Sequence, residues 1–183
     1  MTPSAAVAPF TGTYSADVDH SFVGFSVLHM GVSTFRGSFS DVSASVAVDD
    51  DGALKLRGSA QVQSVSIVSP PEFRSHVLGE DFFDAERHPA IVFESRPAHP
   101  AEDGSITVEG SLTVRNVTRD IVATGTWRPP LEDLYGKMRA GIELTTTIDR
   151  RDYGMAWNAQ LPKGGDALGT CVTLTVHLEL IGD

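Results

Sequence analysis

The side chains of this sequence with the widest chemical repertoire are six histidines and one cysteine. A zinc site needs three or four convergent ligands, some of them usually closely spaced along the chain. His20 and His29 stand nine residues apart, and His76, His88, His99 and His177 are scattered without short spacing. No metal is therefore expected, and His29, at a strand end, is assigned a backbone hydrogen bond or a polar contact. Ser21 beside His20 is not a nucleophile pair, because neighbouring residues of a strand point to opposite faces. Neither a G-x-S-x-G elbow nor a Gly-rich loop that follows a strand and opens a helix occurs, so the sequence gives no support for an enzyme and implies no cofactor. Cys171, being alone, excludes an internal disulfide and any multi-cysteine metal site, and fits a reducing compartment. Arg150 and Asp152 are expected to hold an irregular segment by a hydrogen-bonded ion pair, with contact to a polar head group of a ligand as the alternative. Asn116-Val117-Thr118 reads as turn chemistry rather than as a glycosylation acceptor.

The chain that positions these groups has 183 residues, room for a single domain, and its apolar fraction of 41% is enough to fill a core. With 24 acidic and 14 basic side chains it carries a formal charge of −10. No Lys/Arg cluster interrupts that charge, which makes nucleic acid and anionic membrane surfaces poor partners. The segment from Met1 to Gly12 has neither the basic start nor the apolar run of a secretory signal, and nowhere do about 18 apolar residues run together. A soluble, cytoplasmic protein without stable membrane insertion is expected, its first twelve or so residues a flexible lead-in.

Alternation with period two runs along almost the whole chain, the pattern of strands with one wet and one dry face. Leu54, Leu56, Gly58, Ala60 and Val62 share a face against Lys55, Arg57, Ser59 and Gln61. The same holds for Ile106 to Val114, Ile121 to Trp127, Met138 to Ile148 and Val172 to Leu180. Strands near 14–29, 35–48 and 90–96 bring the number to about eight, and short turns such as Asp49-Asp50-Asp51-Gly52 make neighbours antiparallel hairpins. Alternation stops from Ser66 to Pro89. There Ser69 and Glu72 form a capping box with Pro70 in the first helical position and Gly79 as the stop, and Glu80 to Arg87 supplies further helical turns. A second irregular stretch, Arg150 to Gly169, carries Tyr153, Met155 and Trp157 and reads as a flap.

Eight such strands hide their apolar faces in a sandwich or in a closed barrel. Small residues interrupt the apolar faces near mid-strand, at Gly58, Ala60, Gly110, Ala123, Gly125 and Ala140. In a barrel they leave unfilled volume, enough for one small ligand; equally, they mark the bends that let a sheet curl. Both readings stay open at this point. A cavity so formed would be apolar and capped by the Phe82/Phe83 segment and the second flap. It would bind by burying methylenes at about 0.8 kcal/mol each, hence about 4 kcal/mol for a five-carbon prenyl unit.

Four stretches carry a more specific signal. They are Asp19-His20-Ser21-Phe22-Val23-Gly24-Phe25-Ser26-Val27-Leu28-His29-Met30-Gly31 with Phe35-Arg36-Gly37-Ser38-Phe39; Phe82-Phe83-Asp84-Ala85-Glu86-Arg87-His88-Pro89 with Phe93-Glu94-Ser95; Gly110 to Arg119; and Arg150-Arg151-Asp152-Tyr153-Gly154-Met155. Their order and content resemble the YceI-like, or polyisoprenoid-binding-like, family. The resemblance implies an all-β fold, an eight-stranded antiparallel lipocalin-like barrel with a short helical insertion at about 70–87 capping one end. It further implies a long-chain isoprenoid or similar fatty amphiphile in the core, such as a quinone or a polyprenyl phosphate, and commonly a homodimer. The lipid contacts expected from the matched motifs are Phe25, Val27, His29, Phe35, Phe39, Phe82, Phe83, Phe93, Met155 and Trp157. From the inward faces of the strands come Leu56, Ala60, Val62, Leu112, Ala123, Trp127, Ile142 and Leu144. The competing expectation is an interaction or stress-related module whose barrel is filled by its own side chains and which acts through its surface or dimer interface.

Overall fold

Each alternating stretch is a strand in the structure, a computed structural model that describes residues 10–183. Of the expected flexible lead-in, residues 1–9 lie outside the described residues, and Gly12 already opens the first strand. The strands are β1 (Gly12–Ala16), β2 (Phe22–His29), β3 (Ser33–Phe39), β4 (Val42–Val48), β5 (Leu54–Gln61), β6 (Ala90–Ser95), β7 (Ser105–Val114), β8 (Val117–Glu132), β9 (Met138–Asp149) and β10 (Leu168–Gly182). β1 and β2 lie end to end along one edge of β10, and β3 and β4 lie end to end beyond them. The ten segments thus form eight antiparallel ribbons, and β10 pairs with both β9 and the first ribbon to close the barrel. Closure leaves few ladder groups unpaired, which removes the sheet edges on which chains aggregate.

The expected strands at 14–29 and 35–48 each contain a break. In the first, the Asp17 side chain accepts a hydrogen bond from the Asp19 N–H and starts a 3-10 turn, Val18–His20, that interrupts the extended chain. The second break lets the outer edge of β3 leave β5. Phe39 instead bridges to Val65, and the Ser66 N–H donates to the Ser38 carbonyl at 2.8 Å. The gap opened in the wall is filled by residues 62–89, including helix α1 (Pro71–Leu78).

The helix starts one residue later than its sequence suggests, and the capping box does not form. Pro70 is the N-cap, in extended conformation, and no side chain caps it. The reason is steric: Pro71 excludes the α region for the residue before it, so Pro70 cannot be helical. Residues 80–87 make hydrogen-bonded turns rather than more helix.

The bore of the barrel is filled along one half of its length only. At the end away from α1, Val46, Leu54, Val108, Ile142 and Leu180 are fully buried and pack with Tyr14 and Trp127. The two readings of the small residues are realised at different positions. A Cβ on Gly125 would lie 1.7 Å from the Glu143 carbonyl oxygen, and one on Gly110 would lie 2.7 Å from the Phe93 ring. These glycines allow strand approach and ring seating. A Cβ on Gly58, by contrast, would meet only ordinary contacts, at 3.7 and 3.8 Å.

Around the filled end, Arg139 ties distant elements together. Its guanidinium donates to Asp133 at 2.6 Å, to Asp17 at 2.8 Å and to Glu179. These bonds hold the Asp17 and Asp133 carboxyls at about 2, below the ordinary 3.8. Because the folded values are depressed, the stability they supply is present above 3.8 and is lost as pH falls toward about 2. Urea midpoints measured across that window should fall, and Arg139→Gln should flatten the fall. The same assay separates the glycines. Gly125→Ala should cost about 1 to 3 kcal/mol or more, whereas Gly58→Ala should stay within about 1 kcal/mol of the parent.

Candidate functional site

Under α1, where the bore is not filled, lies an apolar chamber of about 480 Å³. The β2–β3 hairpin supplies Phe25, Val27, His29, Phe35 and Phe39 to its wall; α1 and the turns after it supply Phe73, His76, Val77, Phe82 and Phe83. Ile91, Leu112, Val114 and Ile148 come from β6, β7 and β9, Met155 and Trp157 from the flap, and Leu168, Val172 and Leu174 from β10. A deeper space of about 150 Å³ is bounded by residues including Leu56, Gly58, Ala60, Phe93, Ala123 and Leu144. Phe39, Ile91, Leu112 and Leu174 border both, so the two spaces are consecutive along the bore.

Aromatic contacts fix the two lids. Phe83, from the insertion, meets Phe39 edge-on at a centroid distance of 5.9 Å and Phe25 at 6.4 Å. His76 stacks edge-on against Phe82 at 5.1 Å and Trp157 at 4.8 Å, and Phe82 lies 5.5 Å from Trp157. Insertion and flap therefore touch each other across the chamber through rings, each such pair adding about 0.5 to 1.5 kcal/mol beyond its buried area. The His76 ring also lies 3.0 Å from Asp81, which sets its orientation.

The polar chemistry of the chamber is sparse and one-sided. Among the described residues its lining contains His29, His76 and Arg150 and no Asp, Glu, Ser, Thr, Cys or Lys. Arg150 does not pair with Asp152, contrary to the sequence expectation. Its Nε–H donates to the Gly169 carbonyl at 2.8 Å, and its Nη groups donate to the carbonyls of Met155 and Leu168. The side that turns inward is fixed by a 3-10 turn, Arg150–Tyr153, which Asp149 caps; Asp149 also engages Arg151 through both carboxylate oxygens, and Asp152 is left exposed. Burial of the Arg150 guanidinium pushes its pKa down. The neighbouring Tyr153 is buried in a cluster with Leu112, Val114 and Met155, and loss of solvent raises its phenol to about 12.

Fifteen of the eighteen expected contact residues border one or other space. Val62, Trp127 and Ile142 do not: Val62 is buried in the 3-10 turn, Val62–Ser64, that opens the insertion, and Trp127 and Ile142 belong to the filled half. Trp127 and Ile142 face the bore as expected, but at the height of the filled core. The residues the sequence reading passed over include Ile67, Phe73, His76, Ile91 and Leu174. Leu174 was visible on the apolar face of its strand, whereas Phe73 and His76 lie on a helix whose inward side gives little periodic signal. His20 lies 3.0 Å from Asp17, near Glu179, a three-residue cluster to which Arg139 already supplies the cation.

The pattern of the YceI-like domain matches residues 14–180. The chain belongs to the YceI-like family. A UPF0312 protein of Pseudomonas fluorescens is 32% identical over 141 residues, covering 74% of this chain and 71% of that protein. Among solved structures, BcnA of Burkholderia cenocepacia superposes with a TM-score of 0.73 at 21% identity, over 90% of this chain and 98% of that one. A polyisoprenoid binding domain from Saccharophagus degradans, implicated in plant cell wall breakdown, does so with 0.66 at 14% identity, over 93% and 98%. These likenesses place the closed barrel among YceI-like folds. Because the deeper space lies open beside Ala123, Ala123→Phe should fill it and change the urea-unfolding free energy by less than about 1 kcal/mol. A packed site would lose about 1 to 3 kcal/mol.

Proposed function

We propose that this protein is a non-enzymatic carrier or store that holds an isoprenoid chain, or a comparable single-chain amphiphile, in the half-barrel beneath α1. The observation that supports it is the continuous apolar lining from Phe35 at the rim to Ala123 at depth, closed over by two lids that touch through Phe82, His76 and Trp157. An apolar cavity of about 150 Å³ admits a benzene-sized guest. The outer chamber, at about 480 Å³, exceeds that roughly threefold and falls within the range of sites for small ligands. The S. degradans neighbour, named as a polyisoprenoid binding domain, adds support at the level of ligand class. Among the described residues the lining of this outer chamber holds no carboxylate, thiol or hydroxyl, and its two histidines, His29 and His76, have no hydroxyl or thiol of the lining to activate, which favours binding over chemistry. The competing picture of a barrel filled by its own side chains describes only the half around Ile142 and Leu180.

An organic extract of natively purified protein, analysed by mass spectrometry, should contain a long-chain compound in stoichiometric amount. In a homologous series of single-chain ligands, affinity should rise about fourfold per methylene. It should stop rising once the chain reaches the filled half. An extract without lipid, combined with no binding at any chain length, would overturn the proposal.

A further inference from the structure

Building on the lipid reading, we infer that the chamber selects amphiphiles with an oxyanion head, a carboxylate or a phosphate, and that Arg150 is the group that receives it. Arg150 is 3% exposed and lines the chamber. Its three hydrogen bonds all go to backbone carbonyls, those of Gly169, Met155 and Leu168. A guanidinium has five N–H donors, so two are left over. Carbonyls solvate the cation but carry no net charge, and among the described residues no carboxylate lies within 4.0 Å of it. The acids nearest in sequence and space are engaged elsewhere: Asp149 binds Arg151, and the exposed Asp166 accepts from the Gln160 amide.

Asp149 and Asp166 act on this cation only from a distance; a buried cation with no directly paired carboxylate is costly, and an anion brought into contact recovers part of that cost. Carboxylate and phosphate oxygens match the planar fork of arginine. His29 and His76, the other polar side chains of the lining, add donors and no negative charge. The sign is notable because the protein as a whole carries −10. A surface acting only through net charge would repel anions, so selection for one must come from this local group. The three carbonyl bonds orient the guanidinium, and through it Met155 of the flap and Leu168 at the start of β10 are held beside the same head group.

The test uses farnesyl phosphate, farnesoic acid and farnesol, which share one chain and differ in the head. Binding is followed by tryptophan fluorescence, since Trp157 lines the chamber. The wild-type protein should bind each anion at least about tenfold more tightly than the alcohol. The comparison of phosphate with carboxylate tells which oxyanion is preferred. Arg150→Gln should bring all three within about threefold of one another, and Arg150→Lys should retain part of the preference. A residue that only braced the flap would weaken the three ligands in equal proportion, and that result would overturn the inference. So would equal affinities in the wild type, a measurement that stands even if Arg150→Gln does not fold. If all three bind the wild type poorly, the lipid reading itself fails, an outcome distinct from tight binding without head-group preference.

Discussion

Closing eight antiparallel ribbons into a ring fixes the width of the bore, and everything else in this protein follows from which side chains are placed inside it. The number of strands is set by hairpin turns and by β10, long enough to pair with β9 on one side and with both halves of the first ribbon on the other. At one end Trp127, Ile142, Leu54 and Leu180 fill that width and make an ordinary core. At the other, small residues deep in the bore and rings around the rim leave a lined space. The two ends divide the labour between stability and binding, and neither half requires a change of backbone architecture.

The break between β3 and β4 links the wall to the lid. Because β3 turns away from β5, its outer edge takes Val65 and Ser66 instead, and the chain that follows is drawn into the opening as the helical insertion. Arg74 reinforces this docking with donations to the carbonyls of Gln63, Val65 and Ile67. One lid is thus a piece of missing wall and the other, the flap, is an extension of β9 into β10. They are joined by aromatic edges rather than by ladder hydrogen bonds, and such contacts separate at lower cost than a sheet pairing. Access along that seam fits a carrier that must both admit and release its cargo.

Much of this was legible in the chain. Period-two alternation gave every ribbon and the correct inward face, since that period is a property of extended backbone and needs no tertiary information. Height along the bore was not legible, because it depends on how far each strand is slid against its neighbour, and so Val62, Trp127 and Ile142 were assigned to the ligand although they serve the core or the insertion. The capping box around Ser69 failed because a second proline overruled a favourable side-chain spacing. Arg150 and Arg151 are adjacent and chemically alike; which of them turns inward was decided by a 3-10 turn that Asp149 caps. Family resemblance carried the fold. It did not carry the division of the bore into a filled and an open half.

That division has an energetic meaning. Enclosed space left by core truncations costs about 24 cal/mol per Å³. Applied to about 480 Å³, this gives an upper bound of about 12 kcal/mol, less where solvent enters through the rim. Domains are stable by only about 5 to 15 kcal/mol in total. A fold that forgoes packing on this scale, while keeping the lining apolar and the lids in contact, has placed stability within reach of a ligand. An occupant that restores the contacts stabilises the folded state according to its concentration and affinity. Loading and folding stability would then be coupled by the same residues, while the filled half around Ile142 keeps a packed core that needs no occupant.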